Sequence, residues 1–205
     1  MLKKISYLIL FYLLFCISAC GSIVNSSLMS PVHPNQTEEI DKNTARITFY
    51  RPSAGGYLIQ APIAESINNE MKLCGIASYN SKFRYMVSPG QHFFVVGGES
   101  SSILKADVVA GKNYYVKIIP KFGIMKARFC FEPLSKGQLE DSKYQNEIKK
   151  CQLVAPNDSS KSWFAENYSS MKEKFDNAIN DFNKLQENRK SKFILNKDDC
   201  IDKLY

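Results

Sequence analysis

From Thr44 to Phe131 the chain is written in short runs of alternating apolar and polar residues, cut about every 8 to 12 residues by a turn signal. Arg46-Ile47-Thr48-Phe49-Tyr50-Arg51 puts Ile47 and Phe49 on one face, and Phe83, Tyr85 and Val87 alternate with Lys82, Arg84 and Met86. His92 to Val96 is bulky on both faces, as a central strand would be. Ile103 to Val109, Tyr114 to Ile119 and Met125 to Phe131 complete the series. Ser88-Pro89-Gly90-Gln91 reads as a turn in which Pro presets one angle and Gly90 accepts a positive φ, and Gly111 frees another in Ala110-Gly111-Lys112-Asn113. No helical stretch separates these runs, which argues against strand–helix–strand units. The expected core, residues 44–134, is mainly β: an antiparallel β-sandwich or small barrel.

The C-terminal extension, 135–205, has a different period. Residues 135–160 are polar and irregular. Phe164, Tyr168, Met171, Phe175, Ala178, Phe182 and Leu185 then recur at intervals of four and three, one stripe of a helix over about 162–188. Candidate N-caps are Ser159, Ser160 and Ser162. Such a helix would be roughly 40 Å long. Its stripe is expected to pack on the β domain, with self-association or a partner protein as the other use.

The first residues speak of location. Lys3 and Lys4 precede a charge-free run, Ile5 to Ala19, the basic and apolar regions of an export signal. The run is shorter than the ~20 apolar residues of a spanning helix, and Ser22, Asn25, Ser26 and Ser27 follow it closely. Ile17-Ser18-Ala19-Cys20 resembles the bacterial lipobox. That resemblance implies cleavage between Ala19 and Cys20, acyl chains on Cys20, and a membrane anchor; Gly21 leans toward the outer membrane in a two-membrane host. Residues 20–43, rich in Ser, Asn, Pro and Gln, read as a flexible tether.

The full chain carries a net charge of +7, and loss of Lys3 and Lys4 with the signal leaves +5, spread without a basic block. Nucleic-acid binding is not expected. Of six cysteines, Cys16 leaves with the signal and Cys20 takes lipid. Cys74, Cys130, Cys151 and Cys200 remain as candidates for two disulfides in any of three pairings. Alternation along Arg128-Phe129-Cys130-Phe131-Glu132 sets Cys130 opposite the two phenylalanines. Their spacing is too wide for a zinc site, so neither metal nor cofactor is expected.

Three motifs in order, Ile47-Thr48-Phe49-Tyr50-Arg51-Pro52, Ser88-Pro89-Gly90-Gln91-His92 and Ala110-Gly111-Lys112-Asn113-Tyr114-Tyr115-Val116, resemble the bacterial lipoprotein domain known as domain of unknown function 2846. In outline that domain is similar to the PEGA-type and immunoglobulin-like surface β modules. The resemblance covers about residues 44–132. It implies an envelope location and a sandwich fold, and no activity. Asn68-Asn69-Glu70 and Cys74-Gly75 depart from the family's glycine-rich hairpin. Of Tyr114 and Tyr115, one is expected in the core and one on the surface.

Catalysis is not expected. The chain has two histidines, with His33 in the tether and His92 in a strand. The acids of the β domain, Glu65, Glu70, Glu99, Asp107 and Glu132, read as turn or solvent-facing positions. An envelope hydrolase would need a cleft where His92 stands beside a carboxylate and a hydroxyl. The expected role is a non-catalytic binding or structural module, meeting an envelope protein or a second copy through the helix. A module for glycan, peptidoglycan or a small ligand is the alternative.

Overall fold

A strand buried at every position can only be central, and Ala45–Arg51 is such a strand, here β2. It lies in a six-stranded sheet whose order is β1 (Met29–Pro31), β10 (Gln152–Pro156), β5 (Ser81–Val87), β2, β8 (Asn113–Phe122) and β9 (Ala127–Pro133). A five-stranded sheet runs β11 (Ile194–Leu195), β7 (Ser102–Val108), β6 (Gly90–Val96), β3 (Ala61–Ile67) and β4 (Glu70–Ala77). This computed structural model describes residues 28–32, 40–56, 58–98, 101–122, 127–202 and 205. The export signal, Ala19, Cys20 and His33 therefore lie outside the described residues.

The two sheets face each other across one core. Ile47, Phe49 and Phe83 from the first meet Ile63, Phe94 and Leu104 from the second. Phe49 is the hub, with ring centroids 5.4 Å from both Phe83 and Phe94 and 5.9 Å from Phe131. Gly75 exists for this packing: a Cβ there would lie 2.7 Å from the Phe83 ring. Gly75→Ala is expected to destabilise the fold by about 1–3 kcal/mol through overpacking. Denaturant unfolding checks this, and pairing the change with Phe83→Leu should recover part of the loss.

The expectation of purely antiparallel sheets is corrected in three places. β2 pairs parallel with β8, β5 with β10, and β7 with β11. A parallel pair needs a crossover, and between β2 and β8 no helix among the described residues supplies one. There the chain instead crosses by way of the opposite sheet. The other ladders are antiparallel, and β6 is central as its bulk on both faces predicts. Gly90 (φ 122°) and Gly111 (φ 73°) take the expected positive φ. The β3–β4 hairpin turns on Asn68 (φ 50°) and Asn69 (φ 67°), both left-handed as a two-residue primed turn requires.

Helices cover both outer faces. On the first sheet sit α1 (Lys136–Glu140) and α2 (Ser142–Lys150), inside a stretch expected to be irregular. Their start was written in the sequence: Ser135 and Gln138 form a capping box. On the second sheet sit α3 (Asp158–Glu166) and α4 (Tyr168–Lys184), followed by short α5 (Glu187–Lys190) and a 3₁₀ turn, Ser191–Phe193. One long helix was expected; Asn167 divides it, its side chain donating to the Trp163 carbonyl at 2.8 Å. The N-cap is Asn157, which accepts from Ser160 N, and not one of the serines. The apolar stripe is spent within the chain. Phe164, Met171 and Phe175 pack on Ala64, Met71 and Val95, and Ala178 and Phe182 pack on Ile103.

The tether expectation is also corrected, over residues 28–32 alone. Residues 29–31 form β1, and Val32 N donates to Leu153 O at 3.0 Å. The C-terminal extension, through β10 and β11, is woven into both sheets.

Candidate functional site

Alternation along β3 carries Ala61 and Ile63 into the core, and the next inward position is Glu65, 3% exposed. A carboxylate there needs partners. Tyr85 of β5, on the opposite sheet, donates its hydroxyl to Glu65 Oε2 at 2.7 Å. His92 of β6 sets Nδ1 2.5 Å from Glu65 Oε1, while its Nε2 lies 2.8 Å from the Ser88 carbonyl oxygen. Phe94 backs the group, stacked on His92 and edge-on to Tyr85. Lys72 Nζ stands 5.7 Å from the centre of the Tyr85 ring. A cleft of about 380 Å³ opens beside them, lined also by Ser66, Met86 and Gln91.

So His92 does stand beside a carboxylate and a hydroxyl, and Glu65 is buried where a solvent-facing acid was expected. Of the other acids, Glu70 is exposed, Asp107 and Glu132 are half-buried, and Glu99 lies outside the described residues. The chemistry then depends on protons. A backbone carbonyl only accepts, so Nε2 carries a hydrogen. Burial alone would raise the Glu65 carboxyl, but hydrogen bonds from His92 and Tyr85 hold it below its usual range. The bond to Glu65 raises His92 against its burial. Below its raised pKa the second proton sits on Nδ1, making an imidazolium–carboxylate pair. Burial raises the Tyr85 phenol, which stays protonated. A general base must offer a free lone pair, and in this arrangement neither ring nitrogen does. The three side chains tie the two sheets together at one end.

A second buried charge organises the other end. Arg51, fully buried, continues the inward series of Ile47 and Phe49. Its Nη1 donates to Ile59 O (2.6 Å) and Ala77 O (3.3 Å), and its Nη2 to Gly55 O and Gly56 O (both 2.7 Å). The guanidinium lies 4.6 Å over the Phe129 ring. Burial draws its pKa down to about 10. Sequence reasoning passed over both Glu65 and Arg51. The signal that finds them is a charged residue at an inward step of an otherwise apolar alternation.

The four candidate cysteines are all free. Cys74 is buried in the core, and burial raises its thiol well above the ordinary value. Cys151 is buried beneath α2, its thiol pushed up to about 11. Cys130 and Cys200 are half-buried; Cys130 does point away from the core that holds Phe129 and Phe131. Tyr114 and Tyr115 are both fully buried, which corrects the expectation of one surface ring. Tyr114 belongs to the inter-sheet core, and Tyr115 lies beneath the C-terminal residues, its hydroxyl accepting from Tyr205 N at 2.9 Å. Among the described residues no group of three or more His, Cys, Asp or Glu could hold a metal, and no helix is long and apolar enough to cross a membrane. Comparisons with protein families, curated proteins and solved structures each return no match.

Proposed function

We propose that the chain is a bacterial envelope lipoprotein, cut between Ala19 and Cys20 and held on a membrane by acyl chains on Cys20. In a two-membrane host that membrane is the outer one. The mature domain is a sandwich of the immunoglobulin or PEGA-like kind, resembling domain of unknown function 2846, and it acts as a non-catalytic binding or structural module with an envelope protein as partner. The observation that carries this reading is Ile17-Ser18-Ala19-Cys20 behind a charge-free run and Lys3-Lys4. The commitment of both His92 nitrogens supports the non-catalytic part.

Membrane fractionation with intact-mass measurement tests it. The wild-type chain is expected in the membrane fraction, beginning at Cys20 and heavier than its sequence by its acyl groups. Cys20→Ala is expected to lose both the added mass and the processing. An unmodified Cys20 in a soluble chain overturns the reading. Crosslinking in intact cells is expected to give one specific envelope protein.

The cleft beside Tyr85, Lys72 and His92 favours a second reading, a module for a glycan or small ligand. Titration with soluble peptidoglycan fragments decides between them, since a flat response removes the ligand reading.

A further inference from the structure

By composition residues 20–43 form one polar stretch, yet its middle is fastened to the fold. Met29, Ser30 and Pro31 lie opposite Pro156, Ala155 and Val154. Asn157 Nδ2 donates to Ser30 Oγ at 3.2 Å. Leu28 is 6% exposed, seated on Ile76 with Leu73 and Trp163 alongside. Leu28 lies eight positions after Cys20. Even fully extended, that length of chain reaches less than about 30 Å. Without β1 the first fixed residue would be near Thr44, and the extended reach would be about 80 Å.

We propose that β1 is a clamp which shortens the anchor, so that the side of the molecule carrying the sheet edge β1, β10 and the first turn of α3 lies against the bilayer that holds Cys20. The occupant of that side is the lipid surface itself. This rests on the lipoprotein reading above, and it adds which face meets the membrane and why. A short leash attached at one edge of a sheet restricts the body's orientation as well as its distance. The opposite edge of the same sheet, β9, is five strands away, roughly 24 Å at the usual strand spacing.

Trp163 reports on this directly, because it is the single tryptophan of the chain and borders Leu28. The acylated protein is placed in vesicles of phosphatidylethanolamine and phosphatidylglycerol, with and without a lipid bearing a nitroxide headgroup. Trp163 emission is expected to be lost in the nitroxide vesicles. In a Trp163→Phe background, a Phe193→Trp reporter on the 3₁₀ turn beside β9 is expected to stay bright. Inserting about 20 Gly and Ser residues between Ser26 and Ser27, a change outside β1, lengthens the leash and should restore Trp163 emission. Leu28→Asp should do the same by releasing β1, with a thermal melt showing that the domain still folds. Protein without acyl mass that fails to bind vesicles overturns the lipoprotein reading. Acylated, bound protein whose Trp163 stays bright, or whose two reporters dim equally, overturns the clamp and leaves the anchor standing. Quenching unchanged by the insertion overturns it as well.

Discussion

Replacing Arg51 by Ala is expected to cost about 3–5 kcal/mol of folding stability, the largest loss of any change near the candidate sites. One fully buried guanidinium serves four backbone carbonyls, at Gly55, Gly56, Ile59 and Ala77. None of these has a carboxylate's charge to offer; the loop between β2 and β3 is folded inward around the cation and shielded by the Phe129 ring. Truncation removes the donors together and leaves carbonyls facing an apolar floor. Arg51→Lys should recover less than half of the loss, because three hydrogens on one nitrogen cannot span the fork that the planar group reaches. Urea unfolding of the three proteins is the measurement. A loss below about 1 kcal/mol for Arg51→Ala would mean that the loop opens to water at little cost, and the assigned role would fail.

Glu65→Ala is expected to cost about 2–4 kcal/mol, because it strands a buried imidazolium and the Tyr85 hydroxyl at once. The pH dependence separates charge from packing. Glu65 is held below its ordinary 4.5, so its contribution is present above that value and fades as pH falls through the lowered one. His92 is held above its ordinary 6.5, so its contribution is complete below that value and fades as pH rises through the raised one. Their joint contribution is therefore greatest between about 4.5 and 6.5. Glu65→Gln inverts the pattern. A neutral His92 with its hydrogen on Nε2 can accept from a glutamine amide, so the variant should approach wild-type stability at alkaline pH and fall behind below pH 6.5 or so. Melting temperatures across that range read the sign. A Gln variant equally weak at every pH would show that the pair is not ionised as assigned.

Most strands between Thr44 and Phe131 were legible because period-two alternation is a local property, but β3 and β4 were not read, and both Tyr114 and Tyr115 are buried where one was expected on the surface. The positions of Gly90 and Gly111 were legible because a positive φ leaves few other residues to choose from. Pairing was not local. Nothing near Ile47 announces that its parallel neighbour is Tyr114, since the link passes through the other sheet. A three-residue strand such as Met29–Pro31 is too short to carry a period, and its partner β10 lies far along the chain. Asn167 interrupts a stripe whose spacing continues across it, so periodicity alone reads one helix where there are two. At the candidate site, His92 was singled out by its rarity. Glu65 was read as a turn or solvent-facing acid, because no strand was read across β3 and the partner Tyr85 lies on the facing sheet.

Residues 194–202 join both sheets: Leu195 enters the core beside β7, and Ile201 bridges to Asn113 at the start of β8. A chain made from its N-terminus can form the β3–β4, β6–β7 and β8–β9 hairpins as each appears, because those contacts are near in sequence. The pairings of Leu195 with Ala106 and of Ile201 with Asn113 instead span roughly 90 residues of chain, and contacts of such separation form slowly. The Tyr115 face is covered only once Ile201 and Tyr205 have packed against it.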